Sequence, residues 1–216
     1  MLTRLAGYKV SSALKPEKNH ILELIWEQRL TDELYGTVSL YNYDMKDLID
    51  TRLDQADSLL QFSNVNSIRA NGIEMELHAR LSMGLQGYAN YSFQKAKDVD
   101  ANKELTNSPN HLFKLGLAYP VSQTVSTTAE LQYESARVTV YGLSFSSYAL
   151  TNVNISWKPV MREGAFLSSM LNHSRLSLKV SNVFNTIYST PGGFEHRQQS
   201  IQQDGRNFLV KLDFNF

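Results

Sequence analysis

The final stretch of the chain limits its fold more than any other feature. Apolar side chains occupy every second position there, namely Phe208, Val210, Leu212, Phe214 and Phe216. Such period-two alternation predicts a strand with one apolar and one polar face. At the edge of a soluble sheet this strand would favour aggregation, whereas in a closed barrel it is paired on both sides and its apolar face contacts lipid. The alternative is the terminal strand of a soluble β-sandwich.

Composition removes several classes of protein. The 216 residues carry 21 basic and 21 acidic side chains, so no excess positive charge indicates nucleic-acid binding. The chain has no cysteine, which excludes disulfides and thiolate chemistry. No apolar run approaches the roughly 20 residues that a membrane helix requires, and residues 1–14 lack the apolar core of a secretory signal. A transmembrane barrel stays compatible, because its strands average polar and apolar residues.

The same alternation recurs along the chain and predicts about nine strands, many longer than the five or six residues common in soluble sheets. Short turns at 31–33, 82–84 and 120–123 alternate with longer polar loops at 50–66, 95–109 and 134–146, which is the rhythm of outer-membrane barrels. The connection at 158–173 departs from this rhythm, because it is longer than the short turn expected there. The sequence therefore predicts an all-β antiparallel meander of about nine long amphipathic strands. The predicted strands are 21–30, 34–48, 68–81, 85–94, 111–119, 125–133, 148–157, 176–183 and 205–216.

One predicted strand indicates which face of the sheet contacts water. Glu74, Glu76, His78 and Arg80 alternate with apolar residues, and four ionisable groups on one face do not fit a dry core. They fit the water-filled lumen of a barrel. Aromatic residues near several predicted strand ends are typical of membrane-interface girdles, although aromatics are also common in strands of any kind.

A series of short motifs resembles the C-terminal part of the β-barrel of TonB-dependent outer-membrane receptors. Taken in order, the motifs span nearly all of residues 14–216. They are LKPE at 14–17 with Glu23, DLI at 47–49, Asn64, GIEMEL at 72–77, NSP at 107–109 before His111, NVFN at 182–185 with Tyr188, and the closing strand from Gly205. The signature positions of the barrel are Glu74, Glu76, Asn182, Phe184, Gly205, Arg206 and Phe216.

The resemblance implies a barrel of about 22 strands with a plugged lumen, of which this chain supplies the C-terminal section. Residues 1–19 are expected to form an irregular leading segment, and residues 20–216 part of the barrel without a plug domain. The full-length protein is expected in the bacterial outer membrane, surrounded by lipid and inserted by the barrel-assembly machinery through the C-terminal strand. It would import a scarce ligand, such as an iron–siderophore complex or a cobalamin. The TonB complex would supply energy through the missing plug.

Several residues are candidates for chemistry, each with a plainer alternative. Glu74, Glu76 and His78 share a face at metal-ligand spacing, or are simply lumen-facing polar groups. The acidic stretch from Asp98 begins like a calcium loop but has Lys103 where an EF-hand needs glycine and Pro109 where it needs glutamate, so only a looser calcium site stays open.

In the last long loop His196, Arg197 and Arg206 are candidates for contact with an anionic iron chelate, since arginine pairs well with carboxylates. The alternative is a solvated loop. No histidine pair or phosphate loop indicates catalysis, so the sequence predicts a protein that is not an enzyme and needs no cofactor or resident metal. The rival functions are a stand-alone small barrel (a porin or an adhesin), an outer-membrane enzyme, and a non-functional truncated receptor.

Overall fold

The computed structural model describes residues 7–9, 14–57, 59–64, 67–140, 142–160, 173–192, 196 and 198–214. Within these ranges the regular structure is β-strand, apart from a single 3-10 turn at Ser82–Gly84. No helix in the described ranges is long and apolar enough to cross a membrane.

The strands are numbered in chain order. They are β1 (Tyr8–Lys9), β2 (Lys18–Arg29), β3 (Leu34–Lys46), β4 (Ile49–Leu53), β5 (Leu60–Asn64), β6 (Ile68–Arg80), β7 (Gln86–Asp98), β8 (Lys103–Glu104), β9 (His111–Pro120), β10 (Val125–Glu134), β11 (Arg137–Val138), β12 (Ser144–Phe145), β13 (Tyr148–Trp157), β14 (Ser174–Ser181), β15 (Ser189–Pro191), β16 (Ser200–Gln202) and β17 (Asn207–Phe214).

Nine of these strands form the main sheet. They follow one another in the order β2, β3, β6, β7, β9, β10, β13, β14, β17, and β8 pairs with the end of β7. Each strand therefore lies beside the next long strand of the chain, which is an antiparallel meander. The predicted fold class and the count of about nine long strands are confirmed.

The chain divides into two compact units. The first contains residues 1–24, 40–72 and 94–105, and the second contains residues 25–39, 73–93 and 106–216. The first unit holds a small sheet in which β1 runs parallel to β5, and β4 pairs with β5 in the antiparallel sense. The long loop predicted after residue 50 is thus wrong in part, because β4 and β5 form a hairpin there. Its strands are short and mostly polar, so hydropathy did not reveal them.

Burial separates this fold from a soluble sandwich. Among the described residues the buried hydrophobic side chains are only two small ones, Ala70 and Ala96. Large apolar residues of the main sheet are exposed instead, such as Leu117 at 46%, Ile155 at 47% and Val210 at 68%. In a β-sandwich a second sheet would cover this face, so the soluble alternative is wrong.

Candidate functional site

The apolar face of the main sheet is built from continuous rows of side chains. At one edge (the turn edge) its strands are joined by three short connections, 31–33, 82–84 and 121–124, and by one longer connection, 158–173. At the other edge (the loop edge) the connections are longer. One row near the loop edge is aromatic: Tyr91, Phe113 and Tyr133 stand side by side on β7, β9 and β10, with Ala149 next on β13. The following rows toward the turn edge are mainly aliphatic, for example Phe208, Val180, Val153, Ala129 and Leu117.

The height of this apolar face matches a membrane. Trp157 lies at the turn edge of β13, in a row with Leu176 and Val125. From Ala149 to Trp157 the strand covers about 27 Å at its rise of about 3.4 Å per residue. With a strand tilt of about 40°, this becomes about 21 Å along the barrel axis, close to the apolar band of about 25 Å in outer-membrane barrels.

The opposite face of the same strands is polar. Glu130 on β10 stands in a row with Asn152 on β13, and Thr128 with Asn154. Ser156 and Ser177 are joined by a hydrogen bond of 2.9 Å between their hydroxyls, and the Lys211 ammonium lies 2.7 Å from the Asp213 carboxylate. This face is suited to water, as the sequence predicts for a barrel lumen.

Glu76 and His78 meet on β6. The His78 Nε2 lies 2.6 Å from the Glu76 Oε1, and both side chains are about half exposed. Glu74 occupies the same strand two residues earlier. The described ranges contain no group of three such side chains placed to hold one metal ion.

Tyr88 and Gly116 form a contact that the sequence did not indicate. They are direct neighbours on β7 and β9, and the Tyr88 ring occupies the space that a side chain at position 116 would need. The Tyr88 hydroxyl lies over Gly116, whose neighbour on β10 is Glu130. Beside them is a cavity of about 670 Å³, whose lining includes the charged side chains of Arg29 and Arg80.

The motif residues near the start of β2 meet at Asn64. The Asn64 Oδ1 accepts a hydrogen bond from the Lys15 N–H at 2.7 Å, and its Nδ2 donates to the carbonyl oxygens of Lys15 at 2.8 Å and Asp47 at 2.6 Å. The Glu17 Oε1 accepts from the Ile49 N–H at 2.7 Å. Three separate motifs, LKPE, DLI and Asn64, thus tie the start of β2 to the β3–β4 connection.

The motif after β14 forms a second junction, centred on Asn182. Asn182 is 4% exposed and adopts a left-handed φ of 51°. Its Oδ1 accepts from the Thr186 N–H at 2.8 Å, and its Nδ2 donates to the Thr186 carbonyl at 2.9 Å. Its own N–H donates to the Asn152 Oδ1 at 3.0 Å, which fastens the corner to β13.

The corner also fixes the start of the last strand. The Asn185 Oδ1 accepts a hydrogen bond from the Arg206 N–H at 2.9 Å. The same oxygen lies 2.6 Å from the position of a Cβ at Gly205, so a larger residue does not fit there. The structure therefore brings Asn182, Gly205 and Arg206 together, whereas Phe184 is 75% exposed. Phe216 lies outside the described residues.

The candidate ligand residues are less closely grouped. His196 lies in the connection between β15 and β16, and Arg206 directly precedes β17. Arg197 is not among the described residues. Nearby, the rings of Tyr148 and Tyr188 pack with centroids 4.6 Å apart, beside a groove of about 330 Å³ rich in serine. Because Tyr148 and Tyr188 are far apart in sequence and one lies in a loop, no spacing predicted their contact.

A second network supports this groove. Glu134 pairs with Arg137, and the Tyr148 hydroxyl donates to the Glu134 Oε2 at 2.8 Å. The side chains of Arg137 and Glu134 are only 11% and 19% exposed. The hairpin of β11 and β12 is thereby held against the ends of β10 and β13.

The acidic stretch from Asp98 is a tight hairpin. β8 pairs with β7 through Lys97 with Glu104 and Asp98 with Lys103. The Asp98 Oδ1 accepts from the Ala101 N–H at 2.8 Å, and the Asp100 Oδ2 from the Ser67 N–H at 2.8 Å. Both carboxylates therefore bind main-chain donors, which is a structural use of these residues.

A nine-strand antiparallel meander with an apolar face of membrane height, a polar opposite face and three short turns along one edge defines the wall of an outer-membrane β-barrel. The family model described as "TonB dependent receptor-like, beta-barrel" matches residues 3–183. The chain belongs to the TonB-dependent receptors, a family of outer-membrane proteins, and the predicted resemblance is confirmed.

Two relatives in sequence are named as receptors. The chain is 24% identical over 167 residues to the ferric-pyoverdine BN7/BN8 receptor of Pseudomonas putida, across 74% of this chain and 19% of that protein. It is 30% identical over 97 residues to an uncharacterized TonB-dependent receptor of Haemophilus influenzae, across 42% of this chain and 28% of that protein.

Solved structures share the fold. The ferric-catecholate import receptor Fiu of E. coli K12 in its closed form aligns over 98% of this chain and 30% of its own, with a TM-score of 0.71 and 20% identity. The ferripyoverdine receptor of Pseudomonas aeruginosa aligns over 95% of this chain and 28% of its own, with a TM-score of 0.72 and 17% identity. The copper transporter OprC aligns over 94% of this chain and 32% of its own, with a TM-score of 0.71 and 19% identity. The chain thus spans less than a third of each of these proteins.

Proposed function

We propose that this chain forms part of the barrel wall of a receptor that imports a scarce ligand across the outer membrane, with an iron–siderophore complex as the first candidate and a cobalamin as the alternative. The main support for this proposal is the sheet itself, whose apolar rows have the height of a membrane and whose other face is polar. Family membership and relatives named as ferric-siderophore receptors favour iron. Copper is the control ligand in the uptake experiment described below, because a similar structure is named as a copper transporter.

The two edges of the sheet favour a larger barrel over a small stand-alone one. β2 and β17 are the outermost strands, and β2 is exposed along its whole length. In a meander of nine antiparallel strands the first and last run in the same direction. Antiparallel closure therefore needs an odd number of further strands, which gives the even total found in bacterial barrels. We place these strands in the same receptor, between β17 and β2.

The proposed orientation follows from the connections. The turn edge faces the periplasm and the loop edge faces outside, as in outer-membrane barrels generally. Lipid contacts the apolar rows, the assembly machinery engages β17, and TonB acts through a plug within the barrel. His196 and Arg206 then lie on the outer side, where the Arg206 guanidinium attracts an anionic chelate.

Uptake by living cells tests the proposal. Cells that carry the receptor as their single route for a given chelate are supplied with labelled ferric siderophores, cobalamin and copper. A receptor lacking Gly205–Phe216 serves as the comparison. We expect energy-dependent uptake of at least one ferric chelate, lost on deletion. Equal uptake with and without this strand contradicts its role in the barrel, and absence of any uptake by a correctly inserted receptor favours the non-functional alternative.

A further inference from the structure

A groove interrupts the apolar face at Gly36 on β3. It has a volume of about 290 Å³ and lies among large apolar side chains, with the small residues Gly36 and Ala89 leaving space between them. The large side chains are Trp26, Leu30, Val38, Met75 and Leu77. The period-two pattern of the strands does not itself require a recess here.

The space above Gly36 is not filled by protein. A Cβ at this position would lie 3.7 Å from the Leu30 Cδ1, 3.8 Å from the Leu77 Cδ1 and 3.6 Å from the Glu76 carbonyl oxygen, all ordinary contact distances. Gly116 differs, since the Tyr88 ring occupies the space beside it. The glycine at 36 therefore opens a groove, whereas the glycine at 116 accommodates a neighbouring ring.

The chemistry of the lining selects an apolar occupant. Trp26 is 56% exposed, Leu30 52% and Met75 41%, so the groove opens away from the protein. Strand alternation points the side chains of Thr37 and Glu76 to the polar face, which leaves Gln28 as the polar side chain of the lining. Contact with water would make such a patch unfavourable, while hydrocarbon fills it at no cost in polar contacts.

We propose that this groove binds one acyl chain of an outer-membrane phospholipid, held more firmly than the lipids around the rest of the barrel. The inference rests on the proposed function, which sets the apolar rows against lipid; the groove is continuous with those rows. Leu30 and Gly36 flank the turn at residues 31–33, so the groove lies at the turn edge. With that edge toward the periplasm the occupant comes from the inner leaflet, where phospholipids reside.

The chain carries its own reporters for a test. It has two tryptophans, of which Trp26 lines the groove and Trp157 lies on the apolar face of β13, also at the turn edge. Their exposures are similar, 56% and 47%. The receptor that contains this chain, with any tryptophan outside the chain replaced by phenylalanine, is folded in detergent micelles. It is titrated with phospholipid brominated on its acyl chains, which quenches tryptophan fluorescence on contact. Trp157→Phe isolates the signal of Trp26, and Trp26→Phe isolates that of Trp157.

We expect Trp26 to be half-quenched at a mole fraction of brominated lipid at least threefold lower than Trp157. Gly36→Leu fills the groove and should remove this difference. Ala89→Leu fills it from β7 and serves where Gly36→Leu does not fold. Ala129→Leu adds the same bulk to the apolar face on β10, outside the groove, and should leave the difference intact.

The outcomes separate the inference from the proposed function. Equal titration of both tryptophans, or no effect of either groove-filling variant, overturns the acyl-chain site alone. Quenching of Trp157 with none of Trp26 shows that protein covers the groove, either a second copy or an added strand beside β2, and also overturns it. If the folded chain shows no quenching of Trp157, the lipid-facing assignment fails, and the proposed function fails with it.

Discussion

The ring of Tyr88 fills the space that a side chain at Gly116, its direct neighbour on β9, would otherwise take. The glycine lets the tyrosine side chain lie over β9, beside Glu130 of the next strand. An aromatic side chain that covers a neighbouring glycine protects the exposed backbone and fixes the strand register. The contact thus links β7, β9 and β10 on the polar face.

Replacing Gly116 by alanine is expected to lower the free energy of unfolding by about 1–3 kcal/mol, because the methyl group collides with the Tyr88 ring. Urea titration in detergent micelles measures the effect. Gly36→Ala is the matched control, since a Cβ there meets only ordinary contacts. Tyr88→Ala combined with Gly116→Ala should cost less than the sum of the two single changes; additive effects would contradict the contact.

The long strands could be predicted from sequence because the membrane and the lumen demand opposite faces over many residues. β10, predicted at 125–133, is observed as Val125–Glu134, and β13, predicted at 148–157, is observed at those bounds. Asn182 of the NVFN motif makes hydrogen bonds to Thr186 and Asn152, and no spacing in the sequence reveals these contacts.

The loop edge could not be predicted in the same way. Short hairpins such as β4–β5 contain only a few apolar residues, so an alternation of apolar and polar residues cannot be recognised in them. The pairing of Lys9 with Asp54 and Asp57 spans more than 40 positions. It depends on β1 lying parallel to β5, a register that only the folded chain supplies.

Asn182→Ala is expected to destabilise the fold by about 2–4 kcal/mol, because it leaves the Thr186 main-chain groups unpaired in a buried corner. Thermal or urea unfolding of the variant measures this loss. Asn102→Ala is the control for backbone strain, since Asn102 has a similar left-handed φ of 54° in an exposed hairpin turn. If the two variants lose equal stability, backbone conformation explains the effect and the hydrogen bonds do not.

The Lys9 cluster is expected to make stability depend on pH at both extremes. The hydrogen bond to Asp54, followed by that to Asp57, raises the pKa of Lys9 above 10.5. The hydrogen bond from Lys9 holds the pKa values of Asp54 and Asp57 below 3.8. The contribution of Lys9 to the free energy of unfolding is fully present below pH 10.5, and it is lost as the pH rises through the raised pKa of Lys9. The contribution of the Asp54 and Asp57 carboxylates to the free energy of unfolding is fully present above pH 3.8. It is lost as the pH falls through their lowered pKa values.

Lys9→Met tests this dependence. The stability difference between the original chain and the variant should be constant from about pH 5 to 9, and should shrink below and above that window. Urea titrations across the pH range measure it. Lys103→Met changes a lysine at the exposed β7–β8 hairpin and is the control. A difference that stays constant down to pH 2 would contradict the ion-pair origin.

Arg206→Ala is expected to weaken uptake of an anionic ferric chelate about tenfold, because it removes one charge-assisted contact worth roughly 1.4 kcal/mol while leaving the fold intact. The fold survives because the Asn185 contact uses the main-chain N–H of Arg206, which alanine retains. His196→Ala should act in the same direction more weakly. Uptake is measured at several chelate concentrations, so that a loss of affinity is distinguished from a loss of receptor number. Lys103→Ala removes a positive charge from a different loop, and an equal effect of that variant would show that overall charge, not position 206, governs uptake.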